Sequence, residues 1–258
     1  DIGSWDTSNV EKMGAMFNVA EAFNQNIGNW NVSKVVDMSA MFDGATLFNQ
    51  DLTKWCVTNI KSEPSDFSKN SPLLETNKPV WGTCPKTSII IDKGVYTVSY
   101  NEVYEQPNWV KYTVNNRPKN VDRGGMDFYK ENGVLTSDDD DYYNNPWDKG
   151  HLAPAAAFSD TYDNLYSTFS FLNCAMQIDN LNRGEWRELE QQVRDWSVNS
   201  SIDVEIELVF GDEVRSTGVR LPIGFWKRLT FSDGSKKCFY FPNTNTDRNW
   251  DQYQVNCN

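Results

Sequence analysis

Trp5, Trp30 and Trp55 stand 25 residues apart, and the residues between them return in register. Val10 answers Val35, Met13 answers Met38, Met16 answers Met41, Phe17 answers Phe42, Ala20 answers Ala45, and Phe23 answers Phe48. "FNQNIGNW" is followed one period later by "FNQDLTKW". A fixed period of this length constrains the fold strongly. Each unit can bury its apolar side only against its neighbours, so residues 1–58 are expected to form a short solenoid. Met13, Met16, Phe17 and Ala20 have helical spacing, while Val10 and Ile27 read as short extended pieces. Recurrent Asn and Gln suit backbone caps at turns. All these residues read as core and cap, not as a cofactor site. Two full units and a fragment fall short of the roughly three that arrays need, so further repeats are expected upstream in the natural protein.

After the repeats, "CVTNIKSEPSDFSKNSPLLETNKPVWGTCP" is rich in Ser, Asn, Pro and Lys. Residues 59–86 therefore read as a cap and linker tied by a disulfide. The chain has five cysteines, no C-x-x-C spacing and one histidine, which disfavours a structural zinc site. Proximity along the chain pairs Cys56 with Cys84 and Cys238 with Cys257, leaving Cys174 free. The alternative is that all the thiols are reduced and buried.

Net charge is -12, with 7 basic and 10 acidic residues in 1–86 and 17 and 26 in 87–258. Neither part has the basic excess of a stoichiometric nucleic-acid binder, in which phosphate contacts dominate affinity. An enzyme that needs a local positive site and must release its product is not excluded. No apolar run approaches the ~20 residues of a membrane-spanning helix.

From Ser88 the texture changes. "SIII", "VYTVSY", "NWVKYTV", "IDVEIELVF", "GVRLPIGFWKRLTF" and "KKCFYFPNT" read as strands. The acidic run "SDDDD" at residues 137–141 reads as a solvated loop, with a cation site as the alternative. "LNRGEWRELEQQVRDWSVN" puts Trp186, Leu189, Val193 and Trp196 on one helical face. Asn182 stands where an N-cap belongs, with Glu185 three residues on, as in a capping box.

His151, the one histidine, lies in "PWDKGHLAPAAAF". Lys149 precedes it by two residues, and Asn173, Gln177, Asn182 and Glu190 follow downstream. A base, a cation, amide oxygens and a carboxylate suit metal-assisted phosphodiester hydrolysis, in which the imidazole takes a proton from water. A hard cation such as Mg²⁺ takes oxygen ligands and neutralises charge on the leaving oxygen.

Two resemblances follow from these motifs. "W-x-x-S-x-V-x-x-M-x-x-M-F" over residues 1–58 resembles the BspA-like leucine-rich repeats of bacterial surface proteins, also common in mycoplasma lipoproteins. That resemblance implies surface display and partner binding. "DKGHLAPAAAF" and "NCAMQIDNLNRGEWRELE" resemble the DRGH and helix motifs of the DNA/RNA non-specific endonucleases, the ββα-metal family that includes Serratia nuclease and mitochondrial endonuclease G. "LPIGFWK" and "FYFPN" are similar to its C-terminal strands, and "DRGGMDF" to its arginine-bearing segment. The match spans about residues 88–256.

The resemblance implies an α+β domain over residues 87–258, with a central antiparallel sheet and flanking helices. It implies His151 as general base, Asn182 as direct ligand of Mg²⁺ (or of Mn²⁺ or Ca²⁺ in its place), and Asn173 holding the active-site network. Glu190 would orient metal-bound water, and Arg123 and Lys149 would face phosphate. The substrates would be DNA and RNA, cut without sequence preference to leave 5′-phosphates. Lys149 stands where the family usually has Arg, which loses the planar fork that grips phosphate at two points. The chain also stops soon after Cys257, where many relatives carry a further segment. The reading is a secreted or surface-exposed nuclease. The alternative is a surface adhesion protein with a weak or inactive nuclease-like domain.

Overall fold

The computed structural model describes residues 2–215 and 217–257. The chain divides into two compact units, residues 1–86 and 87–258.

In the first unit the residues with helical spacing do not form a helix. Backbone N–H groups alternate in direction instead. Those of Met13, Ala15, Phe17 and Val19 donate to the carbonyls of Asp37, Ser39, Met41 and Asp43 in the next repeat, at 2.7–2.9 Å. Those of Met16, Asn18 and Ala20 close local turns on Met13, Ala15 and Phe17. Turns of this kind need left-handed residues. Ala15 and Val19 have φ of 54° and 58°, and their counterparts one period on, Ala40 and Gly44, have 52° and 72°. A run of local turns reproduces the i, i+3, i+4 spacing of a helix, which is why the pattern misleads. Met38, Met41, Phe42, Phe48 and Trp55 are fully or nearly fully buried. Phe17 stacks on Phe42 at 5.7 Å and Phe23 on Phe48 at 5.5 Å, so like residues meet across the period.

The stretch read as cap and linker holds a third copy of the same turns. Ala40, Phe42 and Gly44 donate to the carbonyls of Ser65, Phe67 and Lys69, and Asp66 and Asn70 repeat the left-handed positions with φ of 55° and 58°. Phe67 fills the core against Trp81. The Cys56–Cys84 disulfide spans this copy, as proximity predicted.

The second unit is built on a seven-stranded antiparallel sheet, in order β1-β2-β3-β6-β7-β8-β9. Its strands are β1 (Ile89–Asp92), β2 (Thr97–Asn101), β3 (Gln106–Val114), β6 (Ile202–Val214), β7 (Arg220–Phe231), β8 (Lys236–Pro242) and β9 (Gln254–Val255). Alternation sets the two faces. Val110, Tyr112, Val204, Ile206, Phe225, Leu229 and Phe239 turn into the core, while Lys111, Glu205, Glu207 and Arg228 pair across the other face. The Cys238–Cys257 disulfide ties β8 to the C-terminal end, and Cys174 is free and buried, both as expected.

Beside this sheet, β4 (Trp147–His151) and β5 (Cys174–Ile178) form an antiparallel pair joined by a long connection that contains α1 (Tyr162–Ser167). Chain leaves β5 directly into α2 (Asp179–Leu181), a π turn (Asn182–Trp186) and α3 (Arg187–Trp196). The two strands and this helix make the ββα element. Trp186, Leu189 and Val193 are buried in the sheet core, as the helical spacing predicted. Asn182 is not an N-cap: it lies in helical conformation at the entry to the π turn, and the chain turns helical three residues earlier, at Asp179. Gly184, with φ of -102° and ψ of -114°, takes up the kink between the two helical pieces.

Candidate active site

The ββα element sets His151 at the end of β4, opposite Cys174 of β5. The position depends on two close fits. Gly150 faces Gln177, whose Oε1 would lie 2.5 Å from a Cβ at that position, so a side chain there would push the strands apart. Asn173 is fully buried and ties the chain just beyond His151: it accepts from the Ala153 N–H at 2.7 Å and donates to the carbonyls of Ala153 and Thr168 at 2.8 and 2.9 Å. Asn173 therefore shapes the site through backbone and does not line it.

A groove of about 610 Å³ is bordered by Arg123, His151, Asn182, Arg183, Arg187, Glu190 and Arg194, with Asp127, Asp148 and Lys149. Four predicted site residues, His151, Lys149, Asn182 and Glu190, thus meet in one place, and Arg123 joins them from the preceding loop. Arg187, Arg194 and Asp148 were not singled out from the sequence. Within α3, Arg187, Glu190 and Arg194 follow i, i+3, i+7 along a stripe beside the buried one, and that spacing is the signal which could have found the two arginines.

The His151 ring packs between Phe128 and Phe169, at centroid distances of 4.5 and 4.8 Å. Its Nε2 is buried without a hydrogen-bond partner among the described residues. Burial, and then the positive charge of Arg123, push its pKa down to about 3, so the ring is neutral. Arg123 is held over the Phe169 ring at 5.1 Å.

Asn182 donates from Nδ2 to Asp148 Oδ2 at 2.9 Å. A carboxylate can only accept, so the amide must turn its nitrogen to Asp148, and Oδ1 is left facing away with no donor among the described residues. Arg183 grips both Asp148 oxygens, at 2.8 and 2.5 Å. That fixes the carboxylate that fixes Asn182.

Glu190 is enclosed with Lys227, whose Nζ lies 3.8 Å from Glu190 Oε1 and 4.1 Å from the centre of the Trp186 ring. Burial pushes the Glu190 pKa up and that of Lys227 down. Lys227 also escaped the sequence reading, although it occupies an inward position of β7 between Phe225 and Leu229.

Lys149 is not free. Its ammonium contacts Asp127 Oδ1 at 2.8 Å and Asp139 Oδ1 at 2.5 Å. Burial opposes its charge, but the two carboxylates outweigh this and raise its pKa. Asp139 comes from the acidic run, which is a capped turn (Asp139–Tyr142) and not a freely solvated loop: Asp138 caps it and Asp141 is buried. Among the described residues no three His, Cys, Asp or Glu side chains cluster as a metal site. The donors at the groove are instead an amide oxygen and a neutral imidazole, and a hard cation that draws its remaining ligands from water and phosphate fits such a sparse set.

A ββα element that offers a neutral imidazole and an oriented amide oxygen to a groove rich in arginine defines a phosphodiester-cleaving enzyme. The chain belongs to the DNA/RNA non-specific endonuclease family, whose model matches residues 82–258, and it is a nuclease hydrolase. The family is metal-dependent. Residues 1–82 match the model of a Mycoplasma protein of unknown function, DUF285. The fold is similar to that of a chain in the crystal structure of the EndoG/EndoGI complex, with a TM-score of 0.59 and 21% identity over 67% of this chain and 82% of that one. No curated protein matches.

Proposed function

We propose that this protein is a secreted or surface-exposed endonuclease that hydrolyses DNA and RNA without sequence preference, leaving 5′-phosphates and using Mg²⁺. The observation that carries the reading is that His151, held neutral, and Asn182, with Oδ1 turned away from Asp148, border the same groove. His151 accepts a proton from the attacking water. Asn182 Oδ1 and phosphate oxygens would hold the cation, which when bound neutralises charge on the leaving oxygen. Glu190, braced by Lys227, orients water at the groove. Arg123, Arg187 and Arg194 hold the phosphate, and Asn173 keeps the His151 strand in place.

Two disulfides support an oxidising compartment, hence the extracellular placement. The inter-repeat hydrogen bonds support a short BspA-like solenoid that places the enzyme on a surface or a partner. We assign residues 1–58 and the third copy in 59–86 to that role, and 87–258 to catalysis. The double pairing of Lys149 favours a second reading, an adhesion protein whose nuclease site is weak.

Nicking of supercoiled plasmid and cleavage of RNA decide between them. The first reading expects cleavage with Mg²⁺, none with EDTA, and a loss of at least ~100-fold for His151→Ala, the scale of a general base. A folded wild type that cuts neither substrate selects the second.

A further inference from the structure

The acidic turn and the lysine beside His151 form a device that the catalytic reading leaves unused. Asp127 and Asp139 each place a carboxylate oxygen on the Lys149 ammonium, and both are anchored. Asp127 Oδ1 also accepts the Phe128 N–H at 2.8 Å, and Phe128 packs on the His151 ring. Asp139 sits on the turn whose cap is a reciprocal pair: Asp138 accepts from the Asp140 N–H, and Asp141 accepts from the Asp138 N–H at 2.8 Å. Lys130 pairs with Asp138 at 3.1 Å and holds that turn from outside. The clamp is therefore built into local structure and is not a chance meeting of long side chains. Lys149 itself is less exposed than either partner, at 23% against 69% and 67%.

An ammonium has three donors, and here two are engaged by full negative charges. A phosphate that approaches Lys149 meets one positive and two negative charges. The attraction expected of a lone lysine is reversed until a carboxylate moves away or loses its charge. We propose that Asp127 and Asp139 are affinity-setting residues for the phosphodiester substrate, which clamp Lys149 and hold its charge back from the groove. The clamp weakens the grip on polyanionic substrate and product alike and so favours product release. This rests on reading the groove as the phosphodiester site.

The test uses the full chain with Asp139→Asn and Asp127→Asn. Asparagine keeps an acceptor for the Phe128 N–H and fits the first position of the turn. For cleavage of a duplex in Mg²⁺, KM is expected to fall by about 5- to 10-fold with no rise in kcat, the scale of removing one carboxylate next to a bound phosphate. The dependence of log affinity on log salt steepens by about one unit, because one more phosphate is neutralised by the protein. The gain disappears when Lys149→Met is added, which a general change of net charge would not do. Fluorescence anisotropy of a labelled oligonucleotide in EDTA gives the same comparison without cleavage. Unchanged or weaker binding by both variants overturns the clamp, as does a gain that persists with Lys149→Met. A wild type that fails to cleave strikes at the nuclease reading alone, since anisotropy still decides on the clamp.

Discussion

Asn173 and Ala153 exchange two hydrogen bonds, Ala153 N–H to Asn173 Oδ1 at 2.7 Å and Asn173 Nδ2 to the Ala153 carbonyl at 2.8 Å. With a third bond to the Thr168 carbonyl, this buried amide holds the chain two residues beyond His151. Asn173→Ala leaves an N–H and two carbonyls unpaired in the core. At about 1 kcal/mol for each hydrogen bond, stability should fall by ~2–4 kcal/mol in urea unfolding. Because Asn173 does not line the groove, kcat should fall more than KM rises. A variant as stable and as active as wild type refutes this positioning role.

His151 makes stability depend on pH in a defined direction. Its pKa is about 3 in the fold against 6.5 as a free side chain. Below 6.5 the unfolded chain binds a proton that the folded chain refuses, so stability is lost as pH falls, by up to about 1.4 kcal/mol per unit, until about pH 3. Above 6.5 the contribution is flat. Many carboxylates titrate in the same range, so the measurement is the difference between wild type and His151→Asn in denaturant unfolding from pH 7 to pH 4. The difference should shift in favour of the variant as pH falls. A constant difference means that the imidazole is free to take up a proton in the fold.

The parts of the fold that were legible in sequence are those set by local pattern. The six strand-like runs were legible as β1–β3 and β6–β8, and apolar spacing placed Trp186, Leu189 and Val193 on the buried helical face. His151, Asn182 and Glu190 lie within two short motifs, and the ββα element converts those motifs directly into one site. What stayed hidden depends on contacts between distant segments. Asp148 matters because Asn182 and Arg183 reach it from 34 and 35 residues away. Asp139 matters because β4 brings Lys149 to it. The third repeat escaped because Phe67 stands where Met41 does, and because its left-handed residues, Asp66 and Asn70, fall 26 residues after Ala40 and Gly44. A strict 25-residue comparison slips there by one.

The left-handed positions of the repeats give a direct stability prediction. Val19, Gly44 and Asn70 are equivalent and have φ of 58°, 72° and 58°. Glycine and asparagine tolerate this conformation, whereas a β-branched residue is strained in it. The Val19 side chain is 62% exposed, so its removal sacrifices little buried area. Val19→Gly should therefore stabilise the first unit by about 1 kcal/mol, the usual left-handed penalty. Gly44→Val should destabilise it by at least as much. Thermal melts of the two variants check this, and the argument fails if Val19→Gly melts lower than wild type.

Lys227 and Glu190 form a buried charged pair in the second unit. Lys227 is 0% exposed, lies against the Trp186 ring, and has Glu190 as its carboxylate partner at 3.8 Å. Removing one member of such a pair strands the other charge in the core, which costs ~3–5 kcal/mol. Lys227→Met should approach that loss, and Glu190→Gln should lose less, because burial already lowers the pKa of the Lys227 left behind to about 8, so its neutral amine is within reach. In the double variant no charge is stranded, so most of the stability should return, with a coupling of ~2 kcal/mol or more in the mutant cycle. Activity separates the roles. If Glu190 orients water at the groove while Lys227 only braces it, the double variant regains stability yet stays slow, with kcat as low as in Glu190→Gln alone. A double variant that regains both would make the pair purely structural.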